Sequence, residues 1–208
     1  MSGLRLGVRV PPCVRADRLV DTVRRAEELG FDRVWFPDSQ LLWRDVFTVL
    51  TAAADRVREG SAGRGSAAVP LTVSAFCAVT DDVPAAARQL KPICASIAQN
   101  GGAEFLALAG IRVDVPAKVE GVYPDLVHAE DWDAALAICS AWVSDEAAVR
   151  FAEEFCLVGA ADAIAERPRT LHAAGVDEVL LQHVGSYDPP TELIEAVGGS
   201  VLPALRGR

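Results

Sequence analysis

Two distant stretches of this chain carry the same phrase. Residues 28–36 read ELGFDRVWF and residues 173–181 read AAGVDEVLL. Each is a helix end, a glycine where the C-terminal cap belongs, an aspartate, and then an apolar run suited to a buried strand. A helix that turns at once into a buried strand is the seam of a repeated βα unit. Strands joined through helices lie parallel, with helices covering them.

The rest of the chain extends that pattern. LRLGVRV, 4–10, alternates and reads as a first strand, followed by a helix over 17–29 with Leu19, Val20, Val23, Ala26 and Leu29 on one face. FDRVWF is the second strand, and DVFTVLTAAADRVREG has a helical stripe of Val46, Val49, Leu50 and Ala53. LTVSAFCAVT, 71–80, is a third strand and VDEVLLQ the last. Helical segments are expected at 83–98, 103–109, 130–142, 145–154 and 161–173, with Pro168 bending or breaking the last of these. An irregular piece spans 111–128, and PTELIEAVGGSVLPAL closes the chain as a helix. No G-x-G-x-x-G joins the first strand to its helix, which argues against a dinucleotide-binding doubly wound sheet and for a (β/α) barrel type.

Composition narrows the function classes. A chain of 208 residues with 51% hydrophobic content supports one packed domain over 1–208, with a flexible Gly/Ser/Ala-rich joint near 60–69. Charges interrupt every apolar segment before it reaches spanning length, and the first residues lack the pattern of a signal peptide, so the expectation is a cytoplasmic protein. A net charge of −9 with two lysines argues against nucleic acid and against anionic membranes. Five widely spaced cysteines without a C-x-x-C pair read as buried thiols rather than a zinc site or a disulfide framework. His128 and His172 have no partners at ligand spacing, so no metal site is expected.

The polar knot FPDSQLLWRD, 36–45, ends the second strand with a carboxylate, a hydroxyl and an amide, then adds an indole and a guanidinium. Its plain reading is a turn: Asp38 caps the following helix, Ser39 and Gln40 are solvated, Trp43 packs, and Arg44 pairs with Asp45 at the surface for about 0–1 kcal/mol. GSAGRGSA offers backbone N–H groups that suit a phosphate, but it reads first as the flexible joint that leads into the third strand. His183 follows the last strand, within HVGSY, where a ligand can reach it; a lone histidine there is also a common structural residue.

AEELGFDRVWFPDSQLLWRDVF resembles the first helix end, second strand and following loop of the luciferase-like monooxygenase superfamily, and more narrowly its deazaflavin-dependent branch. EGVYPDLVHAEDWDAA and HAAGVDEVLLQHVGSY resemble late segments of the same family. The resemblance implies a (β/α)8 barrel with the cofactor, coenzyme F420 or alternatively FMN, over the C-terminal strand ends. It places Asp38 at the family's acidic position and Trp43 at its aromatic one. Ser39 stands where many deazaflavin enzymes have a histidine; a serine hydroxyl is no acid or base near pH 7, and Asp38 takes that role if burial raises its pKa. By the same resemblance Gln40, Trp43, Arg44, Gly185 and Ser186 contact the cofactor, while Asp38, Ser39 and His183 serve the chemistry.

Such a barrel takes about 250 residues. LGVRV, RVWFPD, LTVSAFCAV and DEVLLQ resemble the first, second, seventh and eighth strands, and nothing resembles strands three to six. The expectation is therefore an α/β fold with parallel strands and outer helices, a truncated TIM-barrel-like arc of about half a barrel. Its second and seventh strands would be open edges, which a homodimer can pair into an eight-stranded ring; mid-chain helices over an open sheet are the alternative. Two functions follow from the resemblance. One is a hydride-transferring oxidoreductase acting on a small organic molecule. The other is a shortened, non-catalytic relative that binds a ligand or partner. Cofactor binding discriminates between them.

Overall fold

The computed structural model describes residues 3–10, 16–35, 71–185 and 189–207, with backbone alone for 16–20. Its strands are β1 (Arg5–Arg9), β2 (Arg33–Trp35), β3 (Thr72–Val79), β4 (Leu157–Gly159) and β5 (Glu178–Gln182). Its helices are α1 (Ala16–Leu29), α2 (Val83–Arg88), α3 (Lys91–Ile97), α4 (Ala103–Leu108), α5 (Trp132–Cys139), α6 (Asp145–Phe155), α7 (Ala161–Ala173), α8 (Thr191–Ala196) and α9 (Leu202–Arg206). π-helical turns at Ala98–Gly102 and Val197–Val201 join α3 to α4 and α8 to α9.

The strands form one parallel sheet in the order β2-β1-β5-β3-β4. The first four positions reproduce the expected arc, with the last strand between the first and the third. The sheet is not closed: β2 and β4 are its edges among the described residues. The fold is thus α/β, a partial TIM-barrel-like arc with flanking helices.

Three points differ from the sequence reading. β4 lies between two expected helices and was not anticipated, because three residues are too few for a period to show. It pairs with the outer edge of β3 over Cys77–Val79, the edge that ring closure by a second copy would use. α7 runs through Pro168, whose ring is buried; the missing N–H costs one bond of the helical ladder and the packing of its face retains the helix. The expected helix over 83–98 is two helices, since the chain leaves α2 at Gln89 and α3 restarts with Pro92 in its first turn.

Strand alternation assigns the faces. Leu6 and Val8 of β1, Val73, Ala75 and Cys77 of β3, and Val179 and Leu181 of β5 point to the outer face. There they meet Ala26 of α1, Ile164 and Ala165 of α7, Leu193 and Ile194 of α8, and Leu202 and Leu205 of α9. At roughly 1.5–3 kcal/mol per buried aliphatic side chain, this layer is a major source of stability. A second core lies among α2, α3, α4, α5 and α6 around Leu90, Leu106, Phe151 and Trp132, and Phe76 and Val158 pack against it from the inner face of β3 and β4.

The repeated phrase has a repeated structure. Gly30 and Gly175 both have positive φ, +89° and +97°. In each case the glycine N–H and the next N–H donate back to the last helical turn, to Glu27 and Ala26 in one and to His172 and Leu171 in the other.

Candidate functional site

The C-terminal ends of parallel strands are where helices and connections diverge and leave room for a ligand. At the ends of β3 and β5 the structure has a cavity of about 650 Å³. One wall is Cys77–Val79 from the end of β3, and another is His183 and Val184, which leave β5. Ala86 and Gln89 of the α2 region, and Pro189–Leu193 entering α8, complete it. An adjoining groove of about 560 Å³ shares Gln89 and Val184 and continues to Gly185, Trp132 and the acidic run Glu130, Asp131 and Asp133.

Of the residues singled out in the sequence, His183 and Gly185 fall on this surface, His183 in the cavity and Gly185 in the groove. Gly185 has φ +93°, and a Cβ placed on it would lie 3.9 Å from the Cδ1 and Nε1 of Trp132. The indole of Trp132 is 9% exposed, and its buried N–H has no acceptor among the described residues. Asp38, Ser39, Gln40, Trp43, Arg44 and Ser186 lie outside the described residues, as do the 36–45 motif and the 60–69 joint.

The cavity's ionisable groups set limits on its chemistry. Burial pushes the Cys77 thiol up to about 12, so it stays protonated at neutral pH and is a poor nucleophile. Among the described residues Cys94 and Cys139 are likewise buried and raised, to about 12 and about 11, chiefly by desolvation. Cys156 is raised as well, first by burial and then by neighbouring thiols. All four thiols are free and buried, as the sequence suggested. No group of three or more metal-ligating side chains occurs among the described residues, and no described helix is long and apolar enough to cross a membrane.

The inner face of the sheet carries polar residues that the sequence reading passed over. The Arg9 Nη1 donates to Gln182 Oε1 at 2.9 Å, and Gln182 Nε2 donates to Ser74 Oγ. Burial lowers the pKa of Arg9. Trp35 Nε1 donates to the buried Glu178 carboxylate at 3.2 Å, with the Arg5 and Arg33 Nε atoms 3.9 and 3.8 Å from it. Gly7 makes room for this, since a Cβ there would sit 3.3 Å from Glu178 Oε1 and 3.4 Å from the Trp35 ring. The signal was present in the sequence. Strands covered on both faces are apolar throughout, whereas Arg5 and Arg9, Arg33 and Trp35, and Glu178 and Gln182 put polar groups on one face of three strands, with Gly7 and Leu180 between them.

A residue-level fit with a flavin or deazaflavin can be tested on the cavity. Its volume admits a tricyclic ring, its Val79, Ala86, Leu193 and Ala196 lining suits the ring faces, and Gln89, His183 and Thr191 offer polar edges. For an anionic tail the described lining of cavity and groove supplies no lysine or arginine.

Comparison with known proteins bears on the N-terminal part. No curated protein matches the chain. Residues 4–62 match the family model described as luciferase-like monooxygenase, a stretch that takes in β1, α1, β2 and the 36–45 motif. In that stretch the chain is similar to luciferase-like monooxygenases, whose members commonly use a flavin or F420.

Proposed function

We propose that the protein is an oxidoreductase of the luciferase-like kind, moving a hydride between coenzyme F420, or alternatively FMN, and a small organic substrate. The observation that carries this reading is the cavity at the C-terminal ends of β3 and β5, with His183 on its wall, on a sheet whose N-terminal strands fall within the family match. The cofactor, when bound, supplies hydride chemistry. The chain's own part is to hold, orient and protonate. Asp38 handles a proton, with Ser39 and His183 orienting substrate groups. Trp43 walls the ring, and Gln40, Gly185 and Ser186 bind its polar edges. Arg44 holds the anionic tail, for which the described lining supplies no cation.

That same lack of a cation favours a second reading, a shortened relative that binds a small molecule without catalysis. Fluorescence titration of the purified protein with F420, and separately with FMN, decides between the two. Saturable micromolar binding, weakened by His183→Ala and by Arg44→Ala, supports the oxidoreductase. Absence of binding up to hundreds of micromolar removes it and leaves the second reading.

A further inference from the structure

The last residues of three strands meet on the inner face of the sheet. Arg9 ends β1, Trp35 ends β2 and Gln182 ends β5. Arg9 and Trp35 are register partners in the parallel ladder, so their side chains leave the same face side by side. On its other flank Arg9 reaches Gln182. These are the C-terminal strand ends, where parallel sheets with outer helices receive their ligands.

This face is cationic in an acidic chain. β1, β2 and β5 carry Arg5, Arg9 and Arg33 against Glu178, while the whole chain has a net charge of −9. Such a local field draws anions. Arg5 and Arg33 turn their Nε atoms to the Glu178 carboxylate, at 3.9 and 3.8 Å. Arg9 differs. Among the described residues its side chain donates to Gln182 Oε1 and has no carboxylate within 4 Å. A guanidinium has five N–H donors and keeps its charge at any ordinary pH. Burial of that charge without a counter-charge is costly, and it lowers the pKa of Arg9. Gln182 is itself held, since its Nε2 donates to Ser74 Oγ, and the fork of Arg9 is thereby oriented.

Trp35 supplies the apolar half. Its Nε1 donates to Glu178 Oε1 at 3.2 Å, and its ring edge lies over Gly7, where a Cβ would come within 3.4 Å of Cδ1 and Nε1. The indole is anchored along that edge, yet the residue is 40% exposed. We propose that Arg9 and Trp35 form a binding site for a small planar carboxylate. The guanidinium takes the carboxylate through two parallel N–H···O bonds, and the ring of the ligand packs against the indole. A monoanion matches one guanidinium that lacks a counter-charge; a phosphate dianion would bury a charge in excess. Neither Arg9, Trp35 nor Gln182 lines the cavity at the ends of β3 and β5, and the inference is independent of the oxidoreductase reading.

The test is an NMR titration of the full chain, without cofactor, followed at the indole N–H resonances. The Trp35 signal is assigned as the one lost in Trp35→Phe. Benzoate is the probe, with cyclohexanecarboxylate, benzyl alcohol and inorganic phosphate as comparisons. The expected result is a saturable shift of the Trp35 signal by benzoate with Kd below about 1 mM, a range open to a ligand of this size. Cyclohexanecarboxylate lacks the plane and benzyl alcohol lacks the charge, and each should bind at least about tenfold more weakly. Arg9→Gln removes the fork and should weaken benzoate at least about tenfold. Gln182→Glu is the second variant. It gives Arg9 a carboxylate of its own, which pairs the charge within the fold, and should weaken benzoate to a similar degree. Absence of a saturable Trp35 shift up to about 10 mM benzoate overturns the proposal. Binding that Gln182→Glu leaves unchanged overturns it too, because the ligand then does not use Arg9. Inorganic phosphate that binds as tightly as benzoate overturns the planar carboxylate as the ligand class.

Discussion

Asp32 and Asp177 make the same pair of hydrogen bonds in the two repeats. Asp32 Oδ2 accepts from the Leu6 N–H at 2.8 Å while the Asp32 N–H donates to the Leu6 carbonyl at 2.9 Å. Asp177 does the same with Leu71, at 2.8 and 2.9 Å. Each aspartate follows a glycine-capped helix by two residues and ties the entry of its own strand to the start of a neighbour. The pairing aligns β2 with β1 and β5 with β3 before the ladder begins.

Removing either carboxylate leaves a part-buried strand N–H without its acceptor. Asp177→Ala is expected to lower unfolding free energy by about 1–3 kcal/mol, with Asp177→Asn, which keeps an oxygen, costing less. Asp32→Ala should behave alike, with the added loss of its Arg206 contact at 3.2 Å. Urea denaturation of the four proteins is the measurement, and an unchanged midpoint for Asp177→Ala would show that the bond contributes nothing.

Gly198 sits where the α8–α9 segment meets the end of α1. A Cβ there would lie 2.7 Å from the Cβ of Leu29, an atom that no rotamer change can move aside. Gly198→Ala is expected to destabilise by about 1–3 kcal/mol. Leu29→Ala does not relieve it, since the clashing Cβ remains. Thermal melts of the two single variants and the double variant test this.

Lys91 is 5% exposed, and its ammonium lies 2.6 Å from Asp145 Oδ1 and 3.2 Å from Ser140 Oγ. The hydrogen bond from Lys91 holds the Asp145 carboxyl below its usual value; desolvation opposes it, and the charges of Lys91 and Arg88 add to the lowering. A lowered folded pKa means that this contribution is present above the unfolded carboxylate pKa and is lost as pH falls through the folded one. Wild type should therefore lose stability below the ordinary carboxylate range more steeply than Asp145→Asn, which starts less stable at pH 7. Stability measured from pH 7 to pH 2 on both proteins checks the slope. Equal slopes refute the pairing.

Burial keeps Cys77, Cys94, Cys139 and Cys156 protonated at pH 8. In a Cys13→Ser protein a thiol-specific chromophore should react only as fast as the chain opens, and should release four equivalents promptly once denaturant is added. Prompt reaction of Cys77 in the native state would mean that the cavity wall is wetter than its packing indicates.

Local chemistry made much of the architecture legible in advance. Gly30 and Gly175 end helices because their backbone adopts positive φ, and Val73, Ala75 and Cys77 alternate because a strand shows its side chains to two faces in turn. Such signals are carried by neighbouring residues and survive in a linear reading. β4 did not, since Leu157–Gly159 is a strand only because β3 lies beside it. Pro168 was weighed by its local cost, whereas the packed face of α7 decides the outcome.

The candidate site divides in the same way. The sequence by itself determined that the chain alternates parallel strands with helices, that a histidine follows the C-terminal end of the last strand, and that its thiols belong in a core. Tertiary structure alone decided that Cys77–Val79, Gln89, His183 and Pro189–Leu193, from separate parts of the chain, enclose one cavity, and that Trp132 meets Gly185 beside it. The physical reason is that hydrogen-bonded caps and strand alternation are written into adjacent residues. A cavity is the space left when distant elements have packed, and no local spacing encodes it.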